Sequence, residues 1–199
     1  MARTLNRICV YCGSSDVIRG TYMETAVEMG RELASQGLTL VYGAGGTGMM
    51  GALADACLEA GGRVVGVIPK MFNTHHLVHK GLSELHVTID MHARKAMMAD
   101  LGDAFVALPG GLGTFEELFE ILTWAQIGLH SKPVGVLNAN GYYDPLLDLV
   151  ESAQSNGFMY VEHQELLLAE TTATALLERM RSYNPPEGLE RWVNREDMK

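Results

Sequence analysis

Short apolar segments alternate with longer amphipathic segments along almost the whole chain, and this alternation constrains the fold more than any other feature. Arg7 to Tyr11 is rich in apolar and β-branched residues, and from Tyr22 to Gln36 apolar residues recur at helical spacing until Gly37. Strands that are apolar throughout, joined by helices of ten or more residues, are typical of a parallel sheet covered on both faces. The sequence therefore predicts an α/β fold with a doubly wound parallel sheet.

Size and composition predict a single domain. A chain of 199 residues with 47% apolar side chains can bury one sizeable core. We place this domain at residues 1–184 and a C-terminal tail of no predicted order at 185–199, because Asn184-Pro185-Pro186 interrupts the pattern. We predict strands over 7–11, 39–42, 63–68, 86–89, 104–108, 134–137 and 166–169, and helices over 22–36, 49–60, 91–101, 114–127, 142–155 and 172–181.

The charge balance argues against several classes of partner. With 15 Lys and Arg against 24 Asp and Glu, the net charge of −9 would repel a nucleic-acid polymer or an anionic membrane surface. No stretch approaches the roughly 20 apolar residues that span a bilayer, and the N-terminus has no secretory cleavage pattern. Cys9 and Cys12 have CxxC spacing, but they lie in an apolar strand and do not predict a redox or zinc site. We expect a cytoplasmic protein.

Glycine-rich turns follow three of the predicted strands. They are Gly13-Ser14-Ser15, the run from Gly43 to Gly48, and the run from Gly110 to Gly113. Ligands of parallel sheets bind beyond the carboxyl ends of the strands, near a switch in strand order. We therefore expect these turns, and Ser14 within the first, to converge on a binding site.

The second turn, Gly43 to Gly48, overlaps the dinucleotide pattern GxGxxG. A nicotinamide site would also need an acidic residue after the next strand, where this chain has Pro69-Lys70. Two alternatives stay open: the glycines serve only a tight turn, or Gly43, Gly45 and Gly46 approach the phosphate or sugar of a mononucleotide.

The third turn begins the segment Pro109 to Glu117, which combines a glycine run with a helix start. Unpaired N–H groups at a helix start suit an anionic group, and Thr114 could cap the helix or bond a phosphate oxygen. Glu116 and Glu117 are predicted in the first helical turn, where carboxylates stabilise the helix dipole. Glu117 could instead hold the ribose hydroxyls, or stabilise positive charge at C1′ while an N-glycosidic bond breaks.

Arg94 and Lys95 lie near the start of the predicted helix 91–101, which is the unfavourable end of the helix dipole for a cation. The guanidinium fork of Arg94 suits a carboxylate or a phosphate, so it could pair with Glu117 or with a substrate. A solvated basic face is the alternative.

Three histidines, His75, His76 and His79, lie in the irregular segment between the third and fourth strands. Their HHxxH spacing invites a metal interpretation, but no nearby cysteine or acidic cluster completes a ligand set. We predict no metal site and no cofactor.

Two long motifs in this chain identify a family. PGGLGTFEE resembles the PGGxGTxxE signature of the Lonely guy family of cytokinin-activating phosphoribohydrolases, and MHARK matches that family's partner motif. The resemblance covers nearly the whole chain, including CVYCGSS, GGTGMMGALADA, VVGVIPK, DAFVALPGG, TWAQIGLHSKPVGVLN and GYYDPLL.

The resemblance implies a Rossmann-like homodimer that acts without metal or redox cofactor. It would hydrolyse cytokinin riboside 5′-monophosphates, and in some members AMP, to the free base and ribose 5-phosphate. Arg94 and Glu117 match the family's catalytic pair. The candidate substrate-binding residues are Ser14, Gly43, Gly45, Gly46, His76, Met91, Lys95, Gly110, Gly111, Leu112, Gly113, Thr114, Phe115, Glu116 and Thr123.

His76 departs from the family pattern. Many members have a glutamate eighteen residues before the motif arginine, and this chain has His76 there. If that glutamate contacts the base or the sugar, we expect base preference to differ in this protein. A non-catalytic nucleotide-binding module is the alternative function, and a dinucleotide-dependent oxidoreductase is the third.

Overall fold

Seven strands form one parallel sheet in the computed structural model, which describes residues 3–189. The strands are β1 (Arg7–Tyr11), β2 (Thr39–Tyr42), β3 (Val64–Pro69), β4 (Glu84–Thr88), β5 (Ala104–Ala107), β6 (Val134–Leu137) and β7 (Leu167–Glu170). The α-helices are α1 (Thr21–Ser35), α2 (Gly48–Glu59), α3 (Met91–Leu101), α4 (Leu112–Gln126), α5 (Asp144–Ser155) and α6 (Ala173–Ser182).

The strand order is β4-β3-β2-β1-β5-β6-β7. The chain builds outward from β1 on one side, then returns past β1 to build β5, β6 and β7 on the other. This reversal between β1 and β5 is the topological switch point at which ligands of such sheets bind. The predicted doubly wound α/β fold is confirmed.

Side chains of β1 show how the sheet acquires two buried faces. Ile8 and Val10 pack on one face with residues of α1, α2 and α6. Cys9 and Tyr11 pack on the other face with residues of α3 and α4. Because successive side chains of a strand point to opposite faces, a strand buried on both sides must be apolar throughout.

The element boundaries lie within two residues of their predicted positions, and three of them differ by two residues. Strand β4 begins at Glu84, two residues before the prediction, and α5 begins at Asp144, two residues after it. Helix α4 begins at Leu112 because Gly111, with extended backbone angles, is its N-cap. The prediction that this helix begins at Thr114 is wrong by two residues.

The segment between β3 and β4 contains a short 3-10 helix, Lys70–Phe72, and then packs against the second glycine turn. The amide of Gly46 donates to the carbonyl of Leu77 at 2.9 Å, and the amide of His79 donates to the carbonyl of Ala44 at 2.9 Å. These bonds hold the segment against the turn that precedes α2.

Part of the predicted tail lies within the described residues. Leu189 is buried with Ala125 and Leu166, so the chain still packs on the domain after the two prolines. Residues 190–199 of the predicted tail lie outside the described residues. Among residues 3–189, no helix is long and apolar enough to cross a membrane.

Candidate active site

A cavity of about 590 Å³ lies at the switch point between β1 and β5. All three glycine turns contribute to its wall. Of the residues singled out from the sequence, the following line it: Ser14, Gly43, Met91, Arg94, Gly110, Gly111, Leu112, Gly113, Thr114, Glu116 and Glu117.

Hydrogen bonds to backbone carbonyls join the three turns. The amide of Gly13 donates to the carbonyl of Pro109 at 3.1 Å, and the carbonyl of Gly13 accepts from the amide of Met50 at 3.2 Å. The hydroxyl of Thr47 donates to the carbonyl of Ser14 at 3.0 Å. Turns that lie far apart in the sequence therefore form one continuous wall.

Helix α4 presents its first amide groups at this wall. Leu112, Gly113 and Thr114 occupy its first turn, where a helix supplies no carbonyl partner for the N–H groups. Thr114 is not the N-cap as expected, because Gly111 takes that position and the threonine side chain is buried beneath Gly110. A Cβ added to Gly110 would lie 2.1 Å from Oγ1 of Thr114, so only glycine fits there.

Arg94 and Glu117 form an ion pair in the cavity wall. Nη1 of Arg94 lies 2.9 Å from Oε1 of Glu117, and the two side chains are only 12% and 10% exposed. Nε of Arg94 donates to the carbonyl of Val67 at 3.3 Å, which ties the guanidinium to β3. Apart from the Nη1 contact, Oε1 of Glu117 has no hydrogen-bond partner among the described residues, so it retains hydrogen-bonding capacity.

The helix-dipole interpretation of Glu116 and Glu117 is wrong. Because α4 begins at Leu112, these glutamates lie in its second turn, and no acidic residue lies in the first. Burial raises the pKa of the Glu117 carboxyl, and the Arg94 guanidinium opposes this rise. A buried carboxylate paired with one cation beside a helix start is suited to stabilise a developing positive charge.

Both cations near the start of α3 have carboxylate partners on α4, so the solvated basic face is also excluded. Lys95 contacts Glu116 and lies 2.9 Å from Glu120. Burial lowers the pKa of Lys95, but its hydrogen bonds to the two glutamates outweigh burial and raise it. Lys95 therefore supports the α3–α4 contact and does not line the cavity.

Five other predicted binding residues also lie outside the cavity wall. Gly45 and Gly46 face Met50 and His79 respectively. Phe115 stacks on the ring of Tyr142, and the Thr123 hydroxyl donates to the Phe119 carbonyl within α4. His76 is exposed in the β3–β4 segment, with its ring edge-on to that of His75.

Several wall residues were not predicted from the sequence. Met50 of α2 and Tyr22 of α1 line the cavity but are not among the candidate residues of the sequence. Tyr142 belongs to the GYYDPLL string, which was noted only for its family likeness. Residue spacing could not identify them because they come from α1, α2 and the segment before α5.

The CxxC pair does not form a site. Cys9 and Cys12 pack on opposite faces of the sheet, and both are free thiols. Burial raises the pKa of Cys9 to about 12, so this thiol is not a reactive thiolate at neutral pH.

Gly43 offers a test of the ion pair that leaves both charges in place. A Cβ added there would lie 2.1 Å from Nη2 of Arg94 and 2.7 Å from Cε of Met50. We expect Gly43→Ala to displace the guanidinium and to lower turnover by up to about 10²-fold, since misplacement by about 1 Å can cost that much. Steady-state kinetics would measure the effect.

Gly46→Ala is the matched control for that substitution. Gly46 lies in the same turn, outside the cavity wall, and a Cβ there meets its nearest atom at 3.4 Å. We expect its turnover to stay near that of the unsubstituted protein. Equal losses in Gly43→Ala and Gly46→Ala would contradict the role given to the guanidinium position.

Comparison with known proteins agrees with the motifs. A family model described as possible lysine decarboxylase matches residues 50–180. Over 179 residues the chain is 45% identical to the cytokinin riboside 5′-monophosphate phosphoribohydrolase LOG3 of Arabidopsis thaliana, covering 90% of this chain and 83% of that protein. This chain belongs to the Lonely guy family. The chain is also 45% identical over 179 residues to the cytokinin riboside 5′-monophosphate phosphoribohydrolase LOG of Oryza sativa subsp. japonica. That match covers 90% of this chain and 74% of that protein.

Two molybdenum cofactor proteins of known structure share the fold of this Lonely guy family member. The molybdenum cofactor binding protein of Rippkaea orientalis superposes with a TM-score of 0.68 at 22% identity, covering 89% of this chain and 96% of that chain. The molybdenum cofactor carrier protein of Chlamydomonas reinhardtii superposes with a TM-score of 0.69 at 20% identity, covering 89% of this chain and 99% of that chain. The family predicted from PGGLGTFEE and MHARK is confirmed.

Proposed function

We propose that this protein is an N-glycosyl hydrolase that converts a nucleoside 5′-monophosphate to its free base and ribose 5-phosphate. The observation that carries the proposal is the buried Arg94–Glu117 pair in the wall of a cavity, beside the first turn of α4. Identity of 45% to proteins named cytokinin riboside 5′-monophosphate phosphoribohydrolases supports the same reaction here. The proposed substrates are cytokinin riboside 5′-monophosphates and AMP.

The first turn of α4 supplies the phosphate site in this proposal. Amide groups at a helix start donate to an anion, and the helix dipole favours its negative charge. Leu112 and Gly113 are exposed at this point of the cavity wall. Local donors of this kind bind a phosphate despite the net charge of −9.

Glu117 acts at C1′ of the ribose. As the bond from C1′ to the base nitrogen breaks, its electron pair leaves with the base and positive charge develops on the sugar. The Glu117 carboxylate stabilises that charge and orients water, whose oxygen bonds to C1′. Water also supplies the proton that the departing base takes up, and Arg94 keeps the carboxylate ionised and in position.

The decisive assay is chromatographic detection of free base after incubation with AMP or with isopentenyladenosine 5′-monophosphate. The matching nucleosides without phosphate are the controls. We expect release from the monophosphates and not from the nucleosides. Binding without release from any of them would replace this proposal with a non-catalytic nucleotide-binding module.

Gly113→Ala tests the phosphate site with two effects of opposite sign. Gly113 lies inside α4, and a Cβ added there meets no atom within 4 Å. Alanine should stabilise the fold by about 0.5 to 1 kcal/mol, because glycine is a poor helix former. The methyl group would also take space that the phosphate needs, so we expect KM for AMP to rise about tenfold, a loss of roughly 1.4 kcal/mol.

Thermal unfolding and steady-state kinetics measure the two effects of Gly113→Ala separately. Inhibition by ribose 5-phosphate should weaken in parallel with KM, while inhibition by free adenine should not change. A more stable variant with the original KM for AMP would place the phosphate elsewhere.

The description as a possible lysine decarboxylase is not favoured by the site. Amine chemistry of that kind through a Schiff base requires an unprotonated lysine. Lys95, beside the cavity, is paired with Glu116 and Glu120, and these partners raise its pKa. We propose for it only a role in holding α3 against α4.

Oligomeric state and location complete the proposal. We propose a homodimer, supported by the exposed apolar side chains of Leu85 and Val87 on the edge strand β4 and of Ile89 just after it. Light scattering on the purified protein would measure its mass.

We propose a cytoplasmic location, supported by the three free cysteines.

A further inference from the structure

Two consecutive tyrosines before α5 reach back to the glycine turn between β5 and α4. The hydroxyl of Tyr143 donates to the carbonyl of Leu108 at 2.6 Å. The hydroxyl of Tyr142 donates to the carbonyl of Gly110 at 2.5 Å. Neither side chain has a place in the mechanism above, yet together they contact two carbonyls of the turn that forms the proposed phosphate site.

Four successive carbonyls of this turn are held by hydrogen bonds. Besides the carbonyls of Leu108 and Gly110, that of Pro109 accepts from the amide of Gly13 at 3.1 Å. The carbonyl of Gly111 accepts from the amide of Phe115 at 3.0 Å. Because a trans peptide is planar, fixing a carbonyl also fixes the N–H of the next residue in the opposite direction.

The Tyr142 bond therefore sets one particular amide donor. With the carbonyl of Gly110 held toward Tyr142, the N–H of Gly111 points away from it. A run of two glycines has little backbone preference of its own, so this orientation needs an external partner. Gly110, Gly111 and Tyr142 all line the cavity.

Aromatic contacts hold the Tyr142 ring in place. Its ring meets that of Tyr22 edge-on at 5.5 Å between centroids and that of Tyr143 edge-on at 5.1 Å. It stacks with Phe115 of α4 at 6.5 Å. The hydroxyl is therefore presented to Gly110 from a ring packed on three sides, which lowers the entropic cost of the bond.

We propose that Tyr142 is a positioning residue for phosphate recognition: its hydroxyl orients the Gly110–Gly111 peptide so that the Gly111 amide donates to the substrate's 5′-phosphate. This role rests on the proposed function in one respect only, namely that the ligand is a nucleoside 5′-monophosphate. Tyr142 acts through the backbone and does not take part in bond cleavage.

Tyr143 provides a matched control within the same dipeptide. Its hydroxyl also holds a carbonyl of the turn, but the residue after Leu108 is Pro109, which has no N–H to orient. Tyr143 is fully buried, whereas Tyr142 lines the cavity. Loss of the Tyr143 hydroxyl should therefore cost stability without changing phosphate recognition.

The test compares Tyr142→Phe with Tyr143→Phe, using calorimetric titration with ribose 5-phosphate, thermal unfolding, and kinetics with AMP. For Tyr142→Phe we expect the Kd for ribose 5-phosphate and the KM for AMP to rise about tenfold, with kcat changed much less. For Tyr143→Phe we expect an unchanged Kd and a Tm lowered by roughly 2 to 4 °C.

The possible outcomes separate the two proposals. Unchanged Kd in a folded Tyr142→Phe variant, or equal loss of affinity in both variants, would overturn the positioning role. If the unsubstituted protein binds ribose 5-phosphate but releases no base from AMP, the proposed hydrolase activity is refuted. The Kd of Tyr142→Phe for ribose 5-phosphate, compared with that of the unsubstituted protein, still decides the role of Tyr142.

Discussion

Glu117→Gln should lower the rate of base release by roughly 10³-fold while the protein stays folded. The amide has the size of the carboxyl group and keeps an oxygen near Arg94, so the wall of the cavity is preserved. It carries no negative charge, and it cannot stabilise the positive charge that develops at C1′. Because the pair is buried, the lost electrostatic contribution is larger than it would be in water.

Rapid quench or chromatographic assays of AMP turnover would measure this loss, with thermal unfolding as the check on folding. Glu120→Gln is the matched control, since Glu120 lies one turn further along α4, is paired with Lys95 and does not line the cavity. We expect the control to keep its turnover. A Glu117→Gln variant with the original kcat would refute the assignment.

Arg94→Ala should also abolish most of the activity, by roughly 10³-fold, and should change the pH dependence of what remains. In the proposed mechanism catalysis needs ionised Glu117, so activity should fall as the pH drops through the pKa of this carboxyl. Burial raises that pKa, and the Arg94 guanidinium opposes the rise. Removal of the cation therefore raises the pKa further, and the acid limb of the pH–rate profile should move to higher pH.

The profile of kcat/KM against pH for Arg94→Ala and Arg94→Lys would test this sign. Lysine keeps the positive charge without the guanidinium fork, so its acid limb should lie nearer that of the unsubstituted protein. Arg63→Ala, which breaks an exposed pair with Glu84 outside the cavity, should leave the profile unchanged. An acid limb that stays in place or moves to lower pH in Arg94→Ala would show that the pair does not tune Glu117.

Local patterns predicted the elements of this fold well. Strands such as Val134–Leu137 and helices such as Met91–Leu101 have the predicted bounds, because their apolar periods and flanking breakers act within a few residues. Prediction of the start of α4 failed because Thr114 looked like a cap, whereas the extended backbone of Gly111 ends the turn earlier. Cap geometry depends on tertiary contacts of the turn, here those of Gly110 with Thr114 and Gly13.

The candidate site could be predicted in part. The motif residues Arg94 and Glu117 could be named because each belongs to a long string with a family likeness, and the glycine turns because each follows a strand. The sequence predicted Arg94 in the catalytic pair and Lys95 among the substrate-binding residues, but not where each side chain points. Arg94 lines the cavity and pairs with Glu117, whereas Lys95 pairs with Glu116 and Glu120 and does not line the cavity.

By itself the sequence determined the α/β class, the order of the strands and helices along the chain, the family, and the segments that we propose carry the chemistry. Apolar periods and glycine turns act locally, and local signals survive in a linear pattern. Only the tertiary structure decided which segments meet. The hydroxyls of Tyr142 and Tyr143 reach carbonyls more than thirty residues earlier in the chain, and Arg94 crosses from α3 to α4. Such contacts depend on the packing of several elements at the switch point of the sheet, and no spacing within one segment encodes that geometry.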